Sequence, residues 1–348
     1  MTWRNMLLED IADKMKEMGE PVFRAKQIFS WLQKGAEIDE MSNISKALRE
    51  RMKEIPLGGV QILEKRISNV DGTTKYLFGL EDGQIIEGVL MHYKHGNTLC
   101  VSTQVGCRMG CSFCASTLDG LIRNVSAGEI LGQILAIERE RRQDGHVAQG
   151  ERAITNVVLM GSGEPLDNYE QVMRFLELVN HPNGLCISMR NISISTCGLI
   201  DKMECLANDA PNVTLCISLH APNDELRKSM MPIANRYSVD QLMQVARDYV
   251  KKTSRRIIFE YAMVRDVNDR DEHAEQLVNL LRGFQCHVNL IPLNEITENQ
   301  LCASTWPRAR EFCELLNQKG ISATVRRKLG DDIQGACGQL RRGYLTEQ

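Results

Sequence analysis

Cys107, Cys111 and Cys114 fall in the stretch GCRMGCSFC with the spacing C-x3-C-x2-C. Metal sites that only brace a fold are usually closed by four ligands, and no fourth cysteine joins these in the loop. A short loop of this kind can wrap three corners of a cubane iron–sulfur cluster, with Gly106 and Gly110 letting the backbone turn tightly. Three thiolates leave one iron unsaturated. That iron can bind the amine and carboxylate of a small molecule and pass an electron to it. The competing reading is zinc completed by a distant Cys or His, but zinc sites come more often as paired C-x2-C knuckles and the chain has no second pair.

The elements that must position this loop show in the apolar patterning. Three helical patterns open the chain, roughly Asn5–Met18, Arg24–Lys34 and Ile44–Glu54, separated by Gly19-Glu20-Pro21 and by Gly35. Short β-type runs follow (VQILEKRIS, TTKYLFGL, QIIEGVLMHY), with Asp71-Gly72 and Asp82-Gly83 as turns. From about Thr98, strand candidates LCVSTQV, ITNVVLM, NISIST, VTLCISLH, RIIFEYAMV and HVNLIPL alternate with amphipathic stretches. The clearest helices are Ala127–Arg142, Tyr169–Asn180, Val239–Thr253, Asp271–Leu281 and Pro307–Lys319. This alternation predicts an α/β fold with a parallel sheet and right-handed crossovers: an open, partial (βα)6 barrel, with ISATVRR as a candidate seventh strand. Function is then expected at the C-terminal ends of the strands, and the cysteine loop directly follows the first of them.

The bulk properties are those of an ordinary globular chain: 348 residues, 43% hydrophobic, 25% charged, formal net charge −3. No apolar run approaches the length of a membrane span, and no signal peptide opens the chain, so a cytoplasmic protein without a membrane partner is expected. Twelve cysteines in such a chain argue against a structural disulfide framework. The net charge does not announce a nucleic-acid partner, so any such binding must use local patches.

Further stretches carry a resemblance. The cysteine motif with Phe113 before its last cysteine is the signature of the radical S-adenosylmethionine enzymes. TLCVSTQVGC, RNVSAGEI, VLMGSGEPLDN, ISISTCG, SLHAPND, MMPI, HVNLIPLN and GDDIQGACGQL together resemble the RlmN/Cfr family of adenosine methyltransferases, and VSTQVGC is more similar to the RlmN branch. The resemblance implies four parts: a helical accessory domain over 1–56, a β-extension over 57–97, a radical S-adenosylmethionine partial barrel over 98–330 and a catalytic-cysteine segment over 331–348. It implies methylation at C2 of an adenosine of 23S rRNA in the peptidyl transferase centre, and of the adenosine 3′ to the anticodon in tRNAs. The implied cofactors are a [4Fe-4S] cluster on Cys107, Cys111 and Cys114 and two S-adenosylmethionine molecules per turnover. The implied partners are 23S rRNA, tRNA and an external electron donor such as flavodoxin or ferredoxin, with the enzyme a monomer.

Adenine C2 lies between two ring nitrogens and is electron-poor, so a radical can add where a nucleophile cannot attack; the cofactor carries that chemistry. In the sequence the resemblance implies, Cys337 takes a methyl group from one S-adenosylmethionine. A second molecule is reduced to a 5′-deoxyadenosyl radical, which removes a hydrogen from that methyl. The carbon radical adds to C2 and joins protein to RNA. Glu87 accepts the C2 proton, and Cys100 attacks the sulfur of Cys337, releasing the product as a disulfide forms. By pattern alone Cys337 reads as a buried, inert thiol and Glu87 as an exposed residue of a half-apolar strand; burial at the site would raise a carboxyl pKa toward that of a usable base. Cys100 stands on a strand, where alternation leaves its direction open.

Gly163, Glu164, Ser195, Ser218, Leu219, His220 and Asn294 match the family's cofactor contacts, with Asn289 the competing choice for Asn294; Glu164 is expected to accept from the cofactor's amino group. Ser162 departs from the family's usual Met between the two glycines. The other cysteines (186, 197, 205, 216, 286, 302 and 313) read as structural. Among the basic clusters, Arg139–Arg142 and Lys251–Lys252 read as solvated helix faces. Arg326–Lys328 and Arg341–Arg342 are better phosphate contacts, and Arg24 and Lys26 are further candidates for gripping RNA. Three rivals remain at this point: C8 methylation of the same adenosine, a glycyl-radical activating enzyme sharing the cluster motif, and a zinc-stabilised RNA-binding module.

Overall fold

In the computed structural model, which describes residues 1–145, 147, 151–294, 301–333, 340 and 344, three short helices come first. They are α1 (Leu8–Glu17), α2 (Phe23–Leu32) and α3 (Lys46–Met52). A run of strands follows: β1 (Gln61–Ile67), β2 (Thr74–Gly79), β3 (Ile85–Tyr93), β4 (Gly96–Cys100), β5 (Gln104–Gly106) and β6 (Leu121–Asn124). Then helix and strand alternate through α4 (Ala127–Gln143), β7 (Asn156–Leu159), α5 (Tyr169–Asn180), β8 (Ile192–Thr196), α6 (Ile200–Asp209) and β9 (Thr214–Ser218). The chain continues with α7 (Asp224–Met230), α8 (Val239–Thr253), β10 (Ile257–Met263), α9 (Asp271–Leu281), β11 (Cys286–Pro292), α10 (Trp306–Gln318) and β12 (Ala323–Val325).

One ten-stranded sheet runs β1-β2-β3-β4-β7-β8-β9-β10-β11-β12. Its first four strands pair antiparallel, and from β4 onward every pairing is parallel. The parallel arm is the alternating α/β unit read from the sequence, with β12 as the added strand. Helices α6 and α7 were not anticipated. α7 is a short helix that precedes α8 in the crossover from β9 to β10. α4 buries Ile130, Leu131, Ile134, Leu135 and Ile137 to 3% exposure or less, each worth about 1.5–3 kcal/mol. A reciprocal cap between Ser126 and Glu129 sets its start.

The N-terminal helices dock on α4 through arginines. Arg4 is buried and donates to the carbonyls of Gly58, Gly35 and Ala36. Arg139 forks onto Glu40 at 2.7 and 2.8 Å and also reaches the Gly35 carbonyl. Arg139 is therefore a clamp between domain and core and not a solvated face, because its fork meets a carboxylate bidentately.

The expected first strand LCVSTQV is split. β4 stops at Cys100, and β5 leaves the large sheet to pair with β6. The reason is local. Ser102 is locked between Gln133, to which it donates no strand bond but whose Oε1 accepts its N–H, and the Glu87 carbonyl, which accepts its hydroxyl. The hairpin of β5 and β6 brackets the cysteine loop. Gly106 has φ +79°, and a Cβ there would lie 2.0 Å from the Gly120 carbonyl oxygen. Gly106→Ala is expected to destabilise the protein by about 2–4 kcal/mol, seen as a fall of the thermal unfolding midpoint together with lower iron content after reconstitution.

Candidate active site

A cavity of about 270 Å³ opens at the C-terminal ends of β7 to β11, walled on one side by the cysteine loop. Cys107, Cys111 and Cys114 all line it. The loop is held by the Cys107 N–H donating to the Gly120 carbonyl at 2.9 Å and the Ser112 N–H donating to the Met230 carbonyl at 2.9 Å. Thr117 Oγ1 donates to the Cys114 carbonyl. Burial pushes the Cys107 thiol up to about 12 and the Cys111 thiol higher still. Thiols so buried ionise only with a cation beside them, which a metal–sulfur group supplies. Ser116 also lines this wall, and its hydroxyl has no hydrogen-bond partner among the described residues. Among the described residues no three His, Cys, Asp or Glu side chains converge on a single-ion position. Three thiols on one wall of a cavity this wide suit a multi-metal cluster.

The opposite walls come from strand ends. Gly163, Glu164, Ser195, Ser218, His220 and Asn294 line the cavity, as the sequence suggested. Asn289 does not; it donates from Nδ2 to Glu260 Oε2 at 2.9 Å. Leu219 points its side chain into the main core, while its carbonyl accepts from Arg227 Nε. Gly163 has φ +106°, and a Cβ there would lie 2.5 Å from the Gln104 Cβ. This glycine thus lets the β7 end pack against β5. Gln104 Oε1 in turn accepts the Glu164 N–H.

Glu164 is fully enclosed, and desolvation raises its pKa. Its Oε1 accepts from the Leu166 N–H at 3.0 Å and its Oε2 from the Cys197 N–H at 2.7 Å. The carboxylate ties the end of β8 to the turn after β7. Ser162 does not line the cavity. Its Oγ turns toward the Gly106 carbonyl, and its own carbonyl accepts from the Thr103 and Gln104 N–H groups, so this departure falls on packing behind the cysteine loop.

His220 has φ +56°, unusual for a residue with a Cβ. Its Nδ1 accepts from the Ala262 N–H at 2.9 Å and its carbonyl from Asn268 Nδ2 at 2.8 Å. Nδ1 as acceptor places the proton on Nε2. Burial holds the ring neutral, with its pKa pushed down to about 3. The ring meets Phe113 edge-on, with centroids 4.8 Å apart, so strand β9 braces the cysteine loop through an aromatic contact.

Glu87 and Cys100 lie on one face of the sheet beside the cavity. Along β3 the residues Ile85, Glu87, Val89 and Met91 alternate to that face. Val89, Met91 and Cys100 pack with Val158, Met160 and Leu329, and Met160 lines the cavity. Glu87 is buried, contrary to the exposed position its strand pattern suggested, because β3 is covered on both faces. Its carboxylate lies 3.2 Å from the fully buried Lys75 ammonium. Cys337, Arg341 and Arg342 lie outside the described residues. Leu340, three positions after Cys337, packs on Leu77 and Ile85 on this same face.

Three comparisons settle the family. Residues 101–278 match the radical SAM superfamily, and residues 4–56 match the ribosomal RNA large subunit methyltransferase N-terminal domain. A probable dual-specificity RNA methyltransferase RlmN from Clostridium novyi (strain NT) is 51% identical over 348 residues, covering 98% of each chain. Its namesake from Clostridium perfringens (strain 13 / Type A) is 53% identical over 344 residues, covering 98% of this chain and 96% of its own. This chain belongs to the RlmN family of radical SAM RNA methyltransferases. A crystal structure of a radical SAM methyltransferase from Sphaerobacter thermophilus superposes with a TM-score of 0.92 at 41% identity, covering 97% of this chain and 98% of that one. The RlmN-family fold carries a [4Fe-4S] cluster and S-adenosylmethionine, and the three-thiol wall fits the cluster. The zinc-module and activating-enzyme readings fall with these matches.

Sequence reasoning missed one charged residue of the cavity, Glu260, which lines it together with Arg326 of the basic run already singled out. The signal for Glu260 was present: a lone acid inside the apolar strand RIIFEYAMV. Burial raises its pKa, opposed by Arg326 and by Asn289. A carboxyl raised in the folded state gives most stability at low pH, and that contribution is lost as pH rises through the folded value. Glu260→Gln should therefore be more stable than wild type at pH 8, with the difference vanishing by pH 4, in paired denaturant titrations.

Proposed function

We propose that this enzyme methylates C2 of an adenosine in 23S rRNA, at the peptidyl transferase centre, and also C2 of the adenosine 3′ to the anticodon in tRNAs. The observation that carries the reading is the arrangement at the strand ends: a three-thiol wall faces a polar S-adenosylmethionine groove, with Cys100 and Glu87 on the adjoining sheet face. The N-terminal match to a ribosomal RNA methyltransferase domain and the relatives' dual specificity support both RNA classes. The bound cluster and S-adenosylmethionine supply reductive cleavage and one-electron carbon chemistry.

The chain's own residues do the rest. Cys107, Cys111 and Cys114 hold the cluster. Ser195 and Ser218 offer hydroxyls to a ribose or carboxylate, Asn294 offers an amide, and the Nε2–H of His220 is a fixed donor. Cys337 carries the methyl group, so that two S-adenosylmethionine molecules are used per turnover. Glu87 takes the C2 proton. Lys75 beside it compensates its charge in a buried setting where an unpaired carboxylate would be costly. Cys100, as its thiolate, then attacks the Cys337 sulfur: the S–S bond forms, the C–S bond breaks, and the departing carbon takes up a proton to become the product methyl group. Arg326 lines the cavity and is the best-placed cation of its basic run for a phosphate or carboxylate. The target base must leave its stack to reach this depth. A flavodoxin- or ferredoxin-type donor supplies the electron to a monomeric, cytoplasmic enzyme; no helix among the described residues is long and apolar enough to cross a membrane.

Reconstituted protein given methyl-labelled S-adenosylmethionine, a reductant and either rRNA or tRNA should form 2-methyladenosine together with 5′-deoxyadenosine. 8-Methyladenosine in the digested RNA would replace this reading with C8 chemistry, and absence of both nucleosides would remove it. Glu87→Gln should lower the yield of methylated RNA by about 10²–10⁴-fold while labelled methyl still accumulates on the protein, read by mass analysis of the Cys337 peptide.

A further inference from the structure

Helix α7 meets the cysteine loop end-on. The Ser112 N–H donates to the Met230 carbonyl at 2.9 Å, and Met230 and Met231 pack with Cys111, Phe113 and Cys197 in a small apolar cluster. Arg227 enters this contact from the same helix and is 0% exposed. Its Nη2 donates to the Cys197 carbonyl at 2.7 Å and the Ser218 carbonyl at 3.2 Å, and its Nε to the Leu219 carbonyl at 3.2 Å. These carbonyls belong to the segments that leave β8 and β9 at the cavity. Nη1 is buried and has no hydrogen-bond partner among the described residues.

Among the described residues Arg227 forms no ion pair with a carboxylate. Asp224, on its own helix, instead accepts from the Val239 N–H at the start of α8. A guanidinium stays protonated, and a buried one without a counter-charge is costly. The negatively ionisable groups that act on it most strongly are the Cys197 and Cys111 thiols, with Asp224 behind them. Cys111 is one of the three thiols assigned to the cluster, and a thiolate-bound cluster is anionic.

We propose that Arg227 is a positioning residue for the iron–sulfur cluster: it is the buried counter-charge beside Cys111 that favours the reduced cluster, and it ties the ends of β8 and β9 to the cysteine loop. This rests on the cluster reading given above. One electron from an external low-potential donor adds negative charge to the cluster, and a fixed cation in a poorly screened interior favours that state. Arg108 is a natural contrast. It adjoins Cys107, but its side chain is 61% exposed and paired with Asp167, so solvent and a carboxylate screen its charge.

The test is an EPR-monitored redox titration of the anaerobically reconstituted full chain. In Arg227→Met the ratio of reduced to oxidised cluster at a fixed poise should fall about tenfold, which is 59 mV for a one-electron couple. Arg227→Lys, which keeps the charge, and Arg108→Gln should each shift the ratio by less than about threefold. A fully loaded Arg227→Met cluster titrating at the wild-type midpoint would overturn the proposal. If that variant fails to fold, the reduced protein carrying both Arg108→Lys and Arg326→Lys, grown on guanidino-¹⁵N arginine, decides by electron–nuclear double resonance. A ¹⁵N coupling to the cluster is expected, and its absence would overturn the proposal. Wild-type protein that takes up no iron and sulfide would instead remove the cluster reading itself.

Discussion

The Cys107 N–H donates to the Gly120 carbonyl at 2.9 Å, and this bond closes the loop that presents all three thiols. Any side chain at position 106 would collide with the same carbonyl, so the closure depends on a glycine held at positive φ. From this point the rest of the site can be followed outward. The loop hangs from β5, which has left the main sheet to pair with β6. Gln104 on β5 accepts the Glu164 N–H, and the Glu164 carboxylate accepts the Cys197 N–H at the end of β8. The positions of three strand ends relative to the thiols are thus carried by a short relay of buried hydrogen bonds. Such relays are strong in a poorly polar interior, and each member left unpaired there would be costly.

The same economy of parts appears on the far side of the loop. Phe113 meets His220, His220 accepts from Ala262, and Asn268 fastens the His220 carbonyl. His220 holds a left-handed backbone conformation that a β-carbon disfavours, and three fixed contacts maintain it. The reward is a single N–H aimed from a neutral ring, whose charge state is indifferent to ordinary changes of pH. Glu87 and Lys75 form a second kind of constraint, a buried ion pair on the sheet face next to the cavity. Buried pairs are weak sources of stability, but removing either partner would leave an uncompensated charge in the interior.

Much of the site was legible because its chemistry demands particular residue types at short spacings. Three thiols within eight positions, a glycine-flanked acid after a strand and a serine–leucine–histidine run are local statements, and a strand end places them predictably. What escaped notice was set by packing between distant segments. Glu87 looked like an exposed strand residue because one strand cannot show that both its faces will be covered. Arg139 looked like a solvated helix face because its partner, Glu40, is 99 residues away. Glu260 lies inside an apolar stretch whose only hint is a charge where none is expected, and Arg227 lies in the charged helix DELRKSM, where nothing local marks it for burial.

The amino-acid sequence by itself determined the cluster loop, the alternation of strand and helix, and the family to which the chain belongs, since each depends on neighbours along the chain. Only the tertiary structure decided that the first barrel strand would break after Cys100, that Asn294 and not Asn289 would line the cavity, and that the Leu219 side chain would turn into the core while its carbonyl holds Arg227. It also decided that the Arg227 guanidinium, without a carboxylate partner among the described residues, would be sealed against the carbonyls of Cys197, Ser218 and Leu219. These outcomes depend on which carbonyls, carboxylates and apolar faces meet across the sheet. Burial gives those meetings their weight, because a polar group removed from water must find its partner wherever the fold has put one.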